Sequence, residues 1–389
     1  MNYRPIILFE PIARGSRLQI LANMVSAIRS TSSRKIVIIT RSDYYNDHFY
    51  EVMGNNLIDV EIIKVAMDLN GVWTKVLTAS EFSVFLDAMF FIVSQQSYDV
   101  VFMALDEYLI PFVRRSVEIR HRLVGCRIWI VKYRVEYLFK YSSHVVRSLI
   151  LDFLTRFALF ASHGTLVCFD ERLSGFLIDG RSVNILPDPW FGDYSPNQRL
   201  MGRERYGFND DDFVILALGR QDRRKGIHLI IAAADDLLKI PGSLLFIVGN
   251  IDNDFLYSFG QILAKHGDRV RHINKFVDEA TLPLIFACAD VFLLPYSKNF
   301  TSSSGTLPRA AASGVPVITG VHGLIGHRVR QYGLGETFSI DDVASLVNAA
   351  TRVSVYSTLR RGVVQSTLLT FAESVSLPQF KKRIGELFL

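Results

Sequence analysis

Short runs of β-branched and aliphatic residues recur along this chain, each followed by a stretch with helical spacing. No other feature constrains the fold as much. Apolar runs of strand length, buried on both faces, need helices above and below them, which is the pattern of βα units around parallel sheets. In the first half the expected strands are residues 5–10, 35–40, 59–65, 99–104, 127–133, 165–169 and 183–187, with helical spacing over 17–28, 81–94 and 144–160. The second half restarts with strands at 212–218, 243–248, 270–273, 291–295 and 315–319, and helices at 227–238, 281–288, 307–313 and 341–350. Between them lies Pro187-Asp188-Pro189, then Gly192 to Pro196, a punctuated stretch that ends one pattern before the next begins. The expected architecture is α/β, with two doubly wound Rossmann-like domains facing each other across a cleft. They cover residues 1–195 and 196–365, and a helical segment at 366–389 is placed to cross back onto the first domain. In sheets of this kind ligands sit at the carboxyl ends of the strands.

At 389 residues, 49% of them apolar, the chain is long enough for two full cores and too long for one. Cys126, Cys168 and Cys288 are far apart, each within an apolar run. An odd number without paired spacing argues against a disulfide framework or a metal knot and fits a reducing cytosol. Met1 to Glu10 is read as a first strand rather than a signal peptide, and no window approaches the roughly 18 apolar residues of a membrane span. The expected location is cytoplasmic, with a peripheral position at the inner face of a membrane as an extension. A net charge of +5 suits an anionic partner. Nucleic acid is not expected, since no binding motif or single-faced Lys/Arg cluster accompanies the charge.

Two constellations carry the chemistry. In Leu218-Gly219-Arg220-Gln221-Asp222-Arg223-Arg224-Lys225-Gly226, a buried strand ends in glycine and a tight loop holds two cations five residues apart before a helix begins. At a strand's carboxyl end, Arg220 could grip a diphosphate with its fork and Lys225 as a point charge. A solvated basic loop would look similar in isolation. In Thr301-Ser302-Ser303-Ser304-Gly305-Thr306-Leu307-Pro308-Arg309-Ala310-Ala311-Ala312-Ser313-Gly314, hydroxyls and a glycine lead into a short alanine-rich helix. Its free N–H groups would suit an anion, and Gly305 would let a ligand approach the backbone. Ordinary helix capping accounts for the same residues equally well.

Their order, with Leu244-Leu245-Phe246-Ile247-Val248-Gly249 and Ala289-Asp290-Val291-Phe292-Leu293-Leu294-Pro295 between them, resembles the donor domain of retaining GT-B glycosyltransferases. That group includes glycogen synthases and bacterial polysaccharide glycosyltransferases. The resemblance covers the second half in detail and the first half only in strand order and length. It implies that Arg220 and Lys225 bind the diphosphate of a nucleotide sugar, that Phe276 and Val277 lie where backbone holds the base, and that Ser304, Gly305, Thr306 and Leu307 meet phosphates and sugar. It also implies a glycine-containing loop after the first strand, matched by Gly15, where donor and acceptor meet. The family's two glutamates in the second constellation fall at Thr301 and Arg309 when the helix is aligned on Ala310 and Gly314. This chain therefore resembles a variant without the pair, in which Arg309 could reach ribose or phosphate.

Asp106-Glu107, after the strand at 99–104, are expected on the cleft rim as candidate catalytic carboxylates, although acids favoured by a helix dipole would also occupy these positions. The stretch from Lys132 to Arg156 mixes Lys132, Arg134, Lys140 and Arg147 with Tyr133, Tyr137, Phe139 and Tyr141. It suits either an anionic membrane surface or a core-facing aromatic stripe. The expected activity is transfer of a sugar from a nucleoside diphosphate sugar to the hydroxyl of a glycan, a lipid-linked saccharide or a small molecule, with retention and without metal or other cofactor. Asp252-Asn253-Asp254 has Asp-x-Asp spacing but reads as turn chemistry. Two rivals are a nucleotide-sugar epimerase of the same fold and a non-catalytic nucleotide-sugar-binding subunit.

Overall fold

A computed structural model describes residues 4–66, 77–139, 145–340, 342–359 and 361–388. The chain divides into two compact units, residues 1–189 with 377–389, and residues 190–376. The first unit is built from β1 (Ile6–Phe9), α1 (Ser16–Thr31), β2 (Ile36–Arg41), α2 (Asp47–Met53), β3 (Val60–Val65), α3 (Ala79–Val93), β4 (Asp99–Phe102), α4 (Leu109–Arg122), β5 (Ile128–Lys132), α5 (Val145–Ser162) and β6 (Thr165–Cys168). A small hairpin, β7 (Leu177–Ile178) and β8 (Arg181–Ser182), precedes β9 (Asn184–Ile185). Seven strands form a parallel sheet in the order β3-β2-β1-β4-β5-β6-β9. β1 and β4 are neighbours although β2 and β3 lie between them in sequence, so the strand order reverses beside β1. This is the kind of point where α/β sheets open a ligand crevice.

The second unit contains α6 (Arg199–Tyr206), β10 (Phe213–Leu218), α7 (Ile227–Leu237), β11 (Ser243–Val248), α8 (Asn253–His266), β12 (Val270–Ile273), α9 (Leu282–Ala287), β13 (Val291–Leu294), α10 (Thr306–Ala312), β14 (Val317–Gly320), α11 (Gly323–Gln331), β15 (Gly335–Phe338), α12 (Val343–Leu359) and α13 (Arg361–Ser374). Its parallel sheet has the order β12-β11-β10-β13-β14-β15. Along β10, Val214, Leu216 and Leu218 enter the core on one face while Phe213, Ile215 and Ala217 enter the core on the other. Alternate side chains of a strand point to opposite faces, and here both faces are covered, so the strand is apolar throughout.

The last helix, α14 (Leu377–Phe388), returns to the first unit. Phe380, Ile384 and Phe388 join that unit's core. The Phe388 ring stands edge-on to Trp129 at 4.6 Å between centroids, and its carbonyl accepts from the Arg34 guanidinium. The second unit opens at Trp190 and keeps residues 361–376. The returning segment is thus shorter than the 366–389 expected from sequence, because Leu368, Phe371 and Ala372 of α13 bury themselves in the second unit's core. The expected strand at 183–187 is reduced to the two residues of β9, and β15 was not expected at all.

Candidate functional site

In the second unit the loops after β10, β12, β13 and β14 all leave one edge of the parallel sheet. The first runs from Gly219 to Gly226 and is pressed tightly onto its neighbours. A β-carbon at Gly226, whose φ is +84°, would stand 1.9 Å from the Pro295 carbonyl oxygen, and one at Gly249 would stand 2.2 Å from the Gly219 carbonyl oxygen. Only glycine accepts both the backbone angle and the approach. The backbone of Gln221 donates to Asn250 at 2.8 Å, and Ser297 donates to Arg224 at 3.0 Å, tying the loop to the ends of β11 and β13.

Arg220 and Lys225 emerge from this frame in different settings. Arg220 is exposed and reaches over to Asp252, its Nε 3.1 Å from Oδ1. The first aspartate of the Asp-x-Asp spacing therefore holds an arginine just ahead of α8. Lys225 is half-buried: its backbone N–H donates to Asp222 at 2.7 Å, its ammonium is 3.4 Å from the Leu218 carbonyl oxygen, and the same ammonium lies 5.0 Å from the centre of the Tyr296 ring. Tyr296 is buried, stacked on Phe300 at 4.0 Å, and shares a hydrogen bond with Ser304 Oγ at 3.1 Å. Ser304 continues to Thr306 Oγ1 at 2.8 Å. Burial alone would push the Tyr296 phenol up. The charge of Lys225, with hydrogen bonds from Lys225 and Ser304, outweighs burial and holds it below the usual phenol range. Sequence reasoning missed this tyrosine, although it follows β13 in the expected loop, because nothing in a Pro-Tyr-Ser turn announces a hydroxyl relay.

The remaining expected residues of this unit divide. Gly305 has helical angles, is exposed, and a β-carbon there would meet nothing within 4 Å. Leu307 is wholly buried in the core, so its side chain anchors α10 rather than meeting a ligand. Phe276 is 87% exposed in the loop after β12, while Val277 packs partly against the core. Arg309 pairs with Glu279 of that same loop at 3.0 Å, with its guanidinium over Phe191 at 5.3 Å. Arg309 thus fastens α10 to the loop carrying Phe276, and its charge is already matched. At the opposite edge of the sheet a recess of about 880 Å³ is lined by Asp210, Asp211 and Asp212. Three carboxylates make it a poor host for a phosphate.

The first unit gathers a separate polar cluster at the carboxyl ends of β1, β4 and β5. Gly15, at φ +55°, caps α1. Asp106 and Glu107 follow β4, but neither stands free on a rim. Asp106 accepts from the buried Lys132 at 3.0 Å and from the Tyr133 backbone at 2.7 Å, and Glu107, itself buried, binds Arg17 and Arg134. Burial works against the Lys132 charge, yet the adjacent Asp106 carboxylate raises the pKa of its ammonium and keeps it protonated. The carboxyl left open is Glu10, at the end of β1. It is fully buried, its Oε1 accepts from the Ile12 N–H at 3.1 Å, and its Oε2 has no partner. Burial raises its pKa to about 7, against the opposing pull of Arg17 and of the Ile12 hydrogen bond, with Glu107 adding to the rise. Arg17 Nη1 and the Tyr133 hydroxyl are likewise buried without a partner. A lone Glu before Pro11 gave no sequence signal, since its chemistry comes from burial.

The basic and aromatic residues of 132–156 divide: Arg134, Arg147 and Phe153 are exposed, whereas others turn inward or pair within the fold. Lys132 is buried, Tyr133 stacks on Phe169 with planes 2° apart, the Tyr137 hydroxyl meets Thr155 Oγ1 at 2.8 Å, and Arg156 pairs with Asp152. Lys140 and Tyr141 lie outside the described residues. Among the described residues no group of His, Cys, Asp or Glu has the arrangement of a metal site, and no helix is long and apolar enough to cross a membrane.

Residues 201–361 match the family described as glycosyl transferases group 1. Glycogen synthase 1 of Methylococcus capsulatus is 33% identical over 155 residues, 35% of this chain and 31% of that protein, so the chain spans about a third of this curated relative's length. Among solved structures, sucrose-phosphate synthase from Thermosynechococcus elongatus superposes with a TM-score of 0.71 at 16% identity, covering 99% of this chain and 98% of that one. Anabaena HepE in complex with UDP-glucose superposes with a TM-score of 0.67 at 12% identity, covering 99% of each chain. At these identities the structural likeness speaks for the fold, two Rossmann-like halves of the GT-B type. The sequence match covers the second unit's four sheet-edge loops, with Arg220 and Lys225.

Proposed function

With a glycosyl transferases group 1 domain over residues 201–361, we propose that this chain transfers a sugar from a nucleoside diphosphate sugar to a hydroxyl acceptor, with retention of anomeric configuration and without a metal ion. The observation that carries the reading is the pair of cations at the end of β10, one exposed and one backed by the buried Tyr296–Ser304–Thr306 relay. As the bond from sugar C1 to the phosphate oxygen breaks, negative charge grows on the diphosphate. Fixed cations aimed at that charge lower the barrier without a reorganisation cost. Lys225 is held in place before any ligand arrives, whereas Arg220 exchanges Asp252 for a phosphate oxygen. Two positive charges here supply what a divalent ion would bring.

Donor recognition beyond the phosphates falls to the backbone around Ser304 to Thr306 and to the loop with Phe276 and Val277. With Thr301 and Arg309 in place of the glutamate pair, contacts of these side chains to sugar and ribose are replaced by backbone N–H groups. In the first unit, Glu10 offers an unpartnered buried oxygen to an acceptor hydroxyl, Glu107 holds Arg17 near it as well as Arg134, and Asp106 fixes Lys132. The acceptor class is a glycan, a lipid-linked saccharide or a small hydroxyl compound. Incubation with a panel of nucleotide sugars and acceptors, followed by nucleotide release, tests the reading. Release with acceptor that persists in excess EDTA is expected. No release from any donor would refute transfer, and loss with EDTA restored by Mn²⁺ or Mg²⁺ would refute the metal-free assignment.

A further inference from the structure

Helix α5 breaks the rule that a surface helix turns polar residues outward. Its inner side is buried through Ser148, Thr155, Ala158, Leu159, Ala161 and Ser162. Its outer side carries Val146 (72% exposed), Leu149, Ile150, Phe153 (66%), Phe157 and Phe160 (59%). At 100° per residue these six fall within a stripe roughly 100° wide, and at 1.5 Å per residue it runs about 20 Å along the helix. The only exposed charge on the helix is Arg147, since Arg156 and Asp152 satisfy one another. Six large apolar side chains, each around half exposed, present on the order of 500–600 Å² of apolar surface, the upper end of what soluble chains leave uncovered.

The helix packed beside α5 decides what covers this stripe. On α4, Arg114 and Arg120 are exposed, as are Ile110 and Val117, while Arg122 turns to α3 with its guanidinium 5.7 Å from the centre of the Phe90 ring. The carboxylate of α4, Glu118, is taken by Arg115. The α4–α5 face is thus apolar and cationic, with its carboxylates internally paired. A second copy docking through the same face would bring two arginine sets together, because a two-fold interface apposes like with like. An anionic bilayer does not meet this repulsion: its headgroups take the arginines and its acyl boundary takes the phenylalanines.

We propose that the outer face of α5, flanked by the arginines of α4, seats this protein on an anionic membrane surface, lying in the interface rather than crossing it. The surface does not include the buried Lys132, and it does not depend on the sugar-transfer reading. The probe is co-sedimentation of the full chain with phosphatidylcholine vesicles, with and without phosphatidylglycerol. Binding to the anionic vesicles alone is expected, weakening as salt rises. The double variant Phe153→Asp, Phe157→Asp should bind at least about tenfold more weakly, and Arg114→Gln with Arg147→Gln should lose the preference for phosphatidylglycerol. Unchanged circular dichroism and melting of both variants serve as the folding control. Wild-type binding by a folded Phe153→Asp, Phe157→Asp protein would overturn the proposal. So would concentration-dependent self-association that this variant abolishes, without vesicle binding, which would assign the face to a second copy.

Discussion

At the scale of single residues, environment rather than identity sets the chemistry. Two carboxylates adjacent in sequence, Asp106 and Glu107, become ion-pair partners, while the unannounced Glu10 becomes the open one. Its pKa of about 7 lies above the ordinary 4.5, so between those values the folded chain binds a proton that the unfolded chain has released. Its contribution to stability is therefore present in full at pH 4.5 and below, and is lost as pH rises through about 7. A difference of roughly 2.5 pH units corresponds to about 3 kcal/mol. Glu10→Gln cannot ionise, so urea unfolding across pH 4.5–8 should show the wild type losing about 3 kcal/mol relative to this variant. Parallel pH profiles for the two proteins would mean that Glu10 ionises freely and is not desolvated.

At the scale of elements, strand and loop positions were legible where both faces of a strand are covered. Runs such as Phe213–Leu218 and Ser243–Val248 are apolar because helices bury them on each side, and the pattern survives in one sequence. The strand Gly335–Phe338 was not legible: it sits at the sheet's edge, is half-exposed, and reads Gly-Glu-Thr-Phe, with no apolar run. The outward face of α5 was equally hidden, since an apolar residue on a helix gives no sign of which way it points. The loop into α10 was legible as a glycine-centred turn, and the structure adds that Gly305 holds ordinary helical angles with open space around it. A valine there should leave folding intact yet stand where phosphate or sugar approaches. We expect Gly305→Val to melt as the wild type does but to gain no thermal stabilisation from nucleoside diphosphates. A variant that melts normally and is still stabilised would show that this loop only caps a helix.

At the scale of the whole molecule, the alternating pattern anticipated two parallel-sheet units. The course of the tail depended on which core its apolar residues would join. Phe371 and Phe380, nine positions apart, belong to different units, and nothing in their local sequence distinguishes them. The two cations of the second unit were visible because loop and strand end are contiguous in sequence. Their backing by Tyr296 and Ser304 was not, because it is assembled across two loops. The proposed sugar transfer requires that assembly to receive a nucleoside diphosphate. Calorimetric titration of UDP, GDP and ADP into the wild type, Lys225→Ala and Arg220→Ala tests it most directly. At least one diphosphate should bind the wild type, and each substitution should weaken it by about 1.5–3 kcal/mol, the range for a hydrogen bond to a charged group. The larger loss is expected for Lys225, which is already in position and half-buried. Equal affinity in all three proteins would contradict the account and place the nucleotide away from the end of β10.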